Sequence, residues 1–262
     1  ICMKCYEIME YLEEVAPKSF AESWDNVGLL CGREEKEVSS VYIALDATGE
    51  VIEEARRVGA DLLLTHHPMI FKPLKQISGN HFIGEKILTL AESGMCYYAM
   101  HTNFDVMGMA DAVAEQLGLQ ERKVLTVTYE DDLSKEGIGR VGALPMPMTL
   151  AECAEYVKNR CHIGQVKVYG MPAETIVMAA VCPGSGKSCI EDAIRAGADV
   201  LITGDIDHHE GIDSVEQGLA IIDAGHYGLE KIFVPYMEEY CKKKLADVKI
   251  YTAAEKEPFW VA

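Results

Sequence analysis

At 262 residues the chain is long enough to bury about 70–75% of the surface its extended form exposes, and it lies near the size where one core divides into two. Lysine and arginine number 24 against 42 aspartates and glutamates, a formal charge of −18 that opposes bare nucleic acid and anionic membrane surfaces as partners. The odd number of cysteines, 9, with no secretory apolar segment or long apolar span, points to a reducing, cytoplasmic setting and away from the membrane.

Residues 3–16 place Ile8, Leu12 and Val15 at helical spacing, with Pro17 as the stop. Cys2-Met-Lys-Cys5 has the spacing of a zinc or redox pair, but no second pair completes it and both read as ordinary helix residues. Cys96 and Cys182 fall in apolar segments and read as small buried hydrophobes. The stretch Glu22-Ser-Trp-Asp-Asn-Val-Gly-Leu-Leu30 fits neither period. Its Trp24 suits a core plug and its Asn26 and Gly28 a turn, so it reads as a structural loop.

Strand 40–46, helix 50–58 closed by Gly59, and strand 62–65 form a βαβ unit. Pro68 prevents the last strand from continuing, so His66 and His67 stand where an apolar strand ends, the usual address of a ligand site in an open parallel sheet. A helix over 81–93 and a strand over 96–100 then deliver His101, and a helix over 109–117 follows. Beyond Lys123 come strands at 124–129 and 139–143 around the charged run 130–136, a helix over 150–160 with Thr149 as N-cap, and strands at 165–169 and 175–182. A helix at 188–196 and a strand at 200–203 complete this stretch. The chain closes with strand 220–223, a turn carrying His226, a helix over 229–244 broken near Pro235, and strand 249–252, which we assign to the first lobe.

An internal repeat runs through this order. Ile52-Glu-Glu-Ala-Arg-Arg-Val-Gly-Ala-Asp-Leu-Leu-Leu-Thr65 overlies Ile190-Glu-Asp-Ala-Ile-Arg-Ala-Gly-Ala-Asp-Val-Leu-Ile-Thr203 at an offset of 138, with 10 of 14 pairs identical or exchanging only Glu for Asp. Each copy is followed by a later strand ending in a His-x-x-x-carboxylate pair, His101 with Asp105 and His226 with Glu230. The fold expected is therefore α/β, with two related lobes from an internal duplication and a metal cleft between them. The first lobe spans 1–124 and is completed by 230–262; the second spans 125–229.

Six side chains present themselves as metal ligands: His66, His67, His101, Asp105, His226 and Glu230. Imidazole mixed with carboxylate suits zinc, iron, cobalt or manganese, and six groups exceed what one catalytic zinc uses, so two divalent ions are expected. Asp205, His208 and His209 follow the repeated strand as second-sphere, substrate-contacting or acid–base groups, with Asp205 equally suited to cap the next helix. His81 and His162 lack clustered partners and read as structural or exposed. The run Cys182-Pro-Gly-Ser-Gly-Lys-Ser188 imitates a phosphate-binding loop, but the first required glycine falls at Val181. It reads instead as a simple anion nest, with Ser185 facing substrate.

Ser23-Trp-Asp-Asn-Val-Gly28, Thr65-His-His-Pro68, His101-Thr-Asn-Phe-Asp105, Gly184-Ser-Gly186, Thr203-Gly-Asp205 and Asp223-Ala-Gly-His-Tyr-Gly-Leu-Glu230 together resemble the NIF3-like family, also called GTP cyclohydrolase 1 type 2 homologs, in its short form without an inserted domain. The resemblance implies two α/β lobes, two divalent metals and a homohexameric ring. It also implies His66, His67, Asp105, His226 and Glu230 as the ligands, with His101 at the edge of the site. A cyclohydrolase would attack C8 of a guanine ring, with His101, His208 or His209 as proton donor. The rival readings are a phosphoester or nucleotide hydrolase, for which bound metal would attract a phosphate-bearing small molecule, and a non-enzymatic metal-binding or interaction protein.

Overall fold

The computed structural model describes residues 2–262 and divides into two compact units. One ends at Phe104 and resumes over Phe233–Glu255; the other comprises Asp105–Ile232 and Lys256–Ala262. The sequence pattern changes near 124, whereas the contacts change at Asp105, because Val113, Ala114 and Leu117 pack into the core of the second unit. No helix among the described residues is long and apolar enough to cross a membrane.

The first unit is built on a five-stranded sheet in the order Lys249–Thr252, Ser40–Ala44, Leu62–Thr65, Cys96–Ala99, Gly28–Cys31. All neighbours are parallel except the last pair, and strand 249–252 joins this unit as expected from its sequence. The three central strands are buried at every position, as strands covered on both faces must be. Tyr42, Leu63 and Tyr97 meet Ile52 and Ala55 of helix Gly49–Arg57 and Leu90 of helix Phe82–Glu92. Helix Phe233–Lys244 lies against strands 40–44 and 249–252. It begins after Ile232 and holds Pro235 within its first turn, so the break precedes the proline: a first-turn residue has no intrahelical N–H bond to lose. Residues 28–31, read as loop from their lack of period, form the antiparallel edge strand.

The second unit has a six-stranded sheet in the order Gln120–Glu130, Lys135–Thr149, Thr175–Ser185, Val200–Gly204, Ala220–Asp223, Lys167–Tyr169. Strands 175–185, 200–204 and 220–223 are mutually parallel and the others antiparallel. The charged run after Tyr129 is a hairpin turn in which the Asp131 carboxylate accepts from the amides of Leu133 and Ser134 at 2.8 Å.

The repeated Gly-Ala-Asp has the same physical role in each unit. Gly59 and Gly197 take φ of 70° and 71°, the left-handed turn that ends a helix, and Ala60 and Ala198 return their amides to the carbonyls of Ala55 and Ala193. The aspartate then clasps the adjoining strand. Asp61 accepts from Ser39 N and Oγ at 2.9 and 2.7 Å, and Asp199 accepts from the amides of Val177 and Met178 at 2.8 Å.

Hydrogen bonds from Ser39 and the charge of Lys36 outweigh the upward pull of burial and hold the Asp61 carboxyl below its ordinary value of 3.8. Its contribution to stability is therefore complete above about pH 4 and fades as pH falls through the lower, folded value. Asp61→Ala and Asp199→Ala are each expected to cost about 1–3 kcal/mol in denaturant titrations at pH 7, with the Asp61→Ala penalty shrinking in acid.

Candidate metal centre

Four imidazoles share one pattern of restraint. His66 follows the fully buried strand 62–65, is itself fully buried, and points Nδ1 at the Met100 carbonyl, 2.7 Å away. His67 sets Nδ1 against Asp46 at 2.8 Å and His101 sets Nδ1 against Asp25 at 2.9 Å. A carbonyl or carboxylate at Nδ1 fixes the ring and turns Nε2 outward, the orientation a ligand nitrogen needs. The backbone below is equally fixed. The Tyr97 phenol takes the Met69 amide at 2.8 Å and donates to the His67 carbonyl at 3.0 Å, which the Thr65 hydroxyl also reaches at 2.9 Å. Ring nitrogens of His66, His67 and His101 lie within 4.8 Å of one another, a spacing that suits a shared cation.

Asp25 holds more than one ring. Its carboxylate also accepts from Thr102 N at 3.0 Å and Thr102 Oγ1 at 2.5 Å. Burial alone would raise this acid, but the hydrogen bonds from His101 and Thr102 outweigh it and hold it at about 2. The carboxylate at the His101 ring is thus Asp25, 76 positions earlier in the chain, and Asp105 begins a widened π turn, Asp105–Met109.

In the second unit, Gly225 at φ 77° precedes helix His226–Glu230, whose i, i+4 spacing sets His226 Nε2 2.9 Å from Glu230 Oε2. Asp205 holds Nδ1 of the same ring at 2.7 Å. Burial pulls His226 down, yet its hydrogen bonds and charge interactions with Glu230 and Asp205 prevail and raise it to about 9. Carboxylate oxygens of Asp105 and Glu230 lie within 4.8 Å of one another. Two acids that approach each other, one of them also against the His226 ring, make a concentration of negative charge that a divalent cation satisfies. Clusters of His, Asp and Glu able to coordinate divalent ions are therefore present.

Gly184 is required at this site. A Cβ there would stand 2.3 Å from Glu230 Oε1, and one at Gly186 would stand 2.0 Å from Thr203 Oγ1. The Gly-Ser-Gly run is thus shaped by the close approach of an acid and a threonine. Ser185 between them is exposed at the end of its strand.

The structure separates the remaining candidates. Asp205 does not cap the next helix: that role falls to Asp207, paired with Glu210, while Asp205 sits at φ 57° against His226. His208 and His209 are exposed at the start of helix His208–Glu216 and join none of the metal-capable groups among the described residues. His81 caps the helix after it and His162 ends helix Leu150–Cys161 in a left-handed turn. Cys5 bonds to Cys96, not to Cys2, and every described cysteine is a free thiol. Sequence reasoning missed Asp25, Asp46 and Tyr97. Asp46 carried a readable signal, since it lies two positions beyond strand 40–44 just as His67 lies two beyond strand 62–65.

The chain matches the model of the Duf34/NIF3 (NGG1p interacting factor 3) family over residues 3–258. It belongs to that family. A Clostridium perfringens relative described as a GTP cyclohydrolase 1 type 2 homolog is 36% identical, over 98% of this chain and 99% of its own. Among solved structures, the Bacillus cereus protein related to NIF3 superposes with a TM-score of 0.94 at 26% identity, covering 100% of this chain and 99% of that one. Reduced HcgD from Methanocaldococcus jannaschii gives 0.82 at 33% identity, covering 96% and 98%. The membership expected from the motifs is met, and the two sheets described above are the α/β fold of these NIF3 proteins.

Asp25→Ala leaves the Thr102 amide and hydroxyl without their acceptor and is expected to cost about 2–3 kcal/mol in chemical denaturation. Gly184→Ala must displace Glu230 and strain a φ of 74°; a loss of about 1–3 kcal/mol and weaker cation binding in titration calorimetry are expected.

Proposed function

We propose that this NIF3 protein, its two lobes of common origin, holds two divalent ions through His66, His67, Asp105, His226 and Glu230, and that it is a metal-dependent hydrolase. The observation that carries this reading is the restraint of every candidate imidazole at Nδ1, three of them by a carboxylate. Metal-ligating histidines almost always give their other ring nitrogen a carboxylate or carbonyl partner of this kind. The repeated Gly-Ala-Asp clasp supports the common origin of the lobes.

Bound at such a set, divalent cations supply Lewis acidity and activate water near neutral pH. The chain's own contribution is orientation and proton handling. Asp46 and Asp205 fix the rings of His67 and His226, and His101, held by Asp25 and partly buried, is placed to exchange a proton with a bound molecule. Ser185, exposed beside the Gly184–Glu230 contact, and Asp205 serve as substrate contacts. The description carried by the relatives favours opening of a guanine ring, and the family resemblance favours a hexameric ring as the working assembly.

Elemental analysis of protein loaded with zinc, iron, cobalt or manganese is expected to give two ions per chain, falling to one or fewer in His67→Ala and Glu230→Gln. Loaded protein incubated with GTP is expected to release formate. Full occupancy with no formate, but with phosphate released from a phosphoester panel, would replace ring opening by phosphoester hydrolysis. Full occupancy with no turnover of either kind would leave a metal-binding protein only.

A further inference from the structure

Trp24 and Phe71 are large aromatic side chains left 58% and 50% exposed. Their ring centroids lie 5.8 Å apart, and each lies 6.1 Å from the ring of His101, which stands edge-on to both. The arrangement is built into the chain. Asn26 donates from Nδ2 to the Ile70 carbonyl at 2.6 Å and so ties the loop carrying Trp24 to the loop carrying Phe71, one position from the latter. Asp25, adjacent to Trp24, is fixed to His101 and Thr102. The chain thus holds two large aromatics at the surface, both against the His101 ring. What is informative is not one exposed indole but two large aromatics side by side against a candidate proton donor, a contiguous apolar patch that a bound ring would cover.

We propose that Trp24 and Phe71 form a subsite for a flat aromatic heterocycle, stacked on one ring and edge-on to the other, with His101 at its rim. The 43° between the two planes, whose centroids are only 5.8 Å apart, rules out a ring sandwiched between them, so a planar ring stacks on the outer face of one. A sugar phosphate without a base has no face to stack and gains nothing there. This subsite rests on the metal reading of the neighbouring histidines for its role in turnover, but ring binding itself is measured separately.

The chain has two tryptophans, so in a Trp260→Phe background Trp24 is the sole indole. Guanosine 5′-monophosphate added to that metal-loaded protein is expected to quench Trp24 emission, with ribose 5-phosphate having no effect. Trp24→Ala and Phe71→Ala, followed by calorimetry, are expected to weaken guanosine 5′-monophosphate about tenfold, with Trp24→Phe restoring most of the loss. Metal content and oligomeric mass should remain as in the parent chain. Equal binding of ribose 5-phosphate, or unchanged affinity in both alanine variants at normal metal content, overturns the subsite and leaves the metal reading standing. A changed oligomeric mass in Trp24→Ala also overturns it, assigning the pair to contacts between copies. Missing metal with intact quenching instead counts against the metal reading alone.

Discussion

The hydrogen bond at Nδ1 of each imidazole is the constraint on which the rest depends. His66 is held by a carbonyl one strand away, and His67, His101 and His226 by the carboxylates of Asp46, Asp25 and Asp205. These acceptors come from strand ends and tight turns, so ring orientation is set by the position of the sheet strands. Thr65 and Tyr97 fasten the His67 carbonyl in the same way, and the Met69 amide in turn holds the Tyr97 phenol. The fold is a device for placing acceptors behind imidazoles.

Much of this was legible in the sequence. Strand 62–65 and the histidines after it were readable because a short apolar run, a proline and two imidazoles are all local signals. The repeat was readable because Gly59 with Gly197 and Asp61 with Asp199 are each required by a specific backbone feature. Family membership followed from motifs spread along nearly the whole chain.

Other features were illegible for equally physical reasons. Asp25 reaches a ring 76 positions away, and no periodicity encodes such a pairing. The segment around Trp24 lacked a pattern because its residues answer to neighbours from two other loops rather than to one face of a helix or sheet. Pro235 misled because its place in a first turn is harmless, although proline in a helix interior is not.

The first unit takes its edge strand, 249–252, and helix Phe233–Lys244 from the far end of the chain. On a ribosome, nearly the whole second unit emerges before the first can close its sheet. During synthesis strand 40–44 must wait with one flank uncovered until residues 249–252 have been made. The first unit is thus begun before the second and completed after nearly all of it.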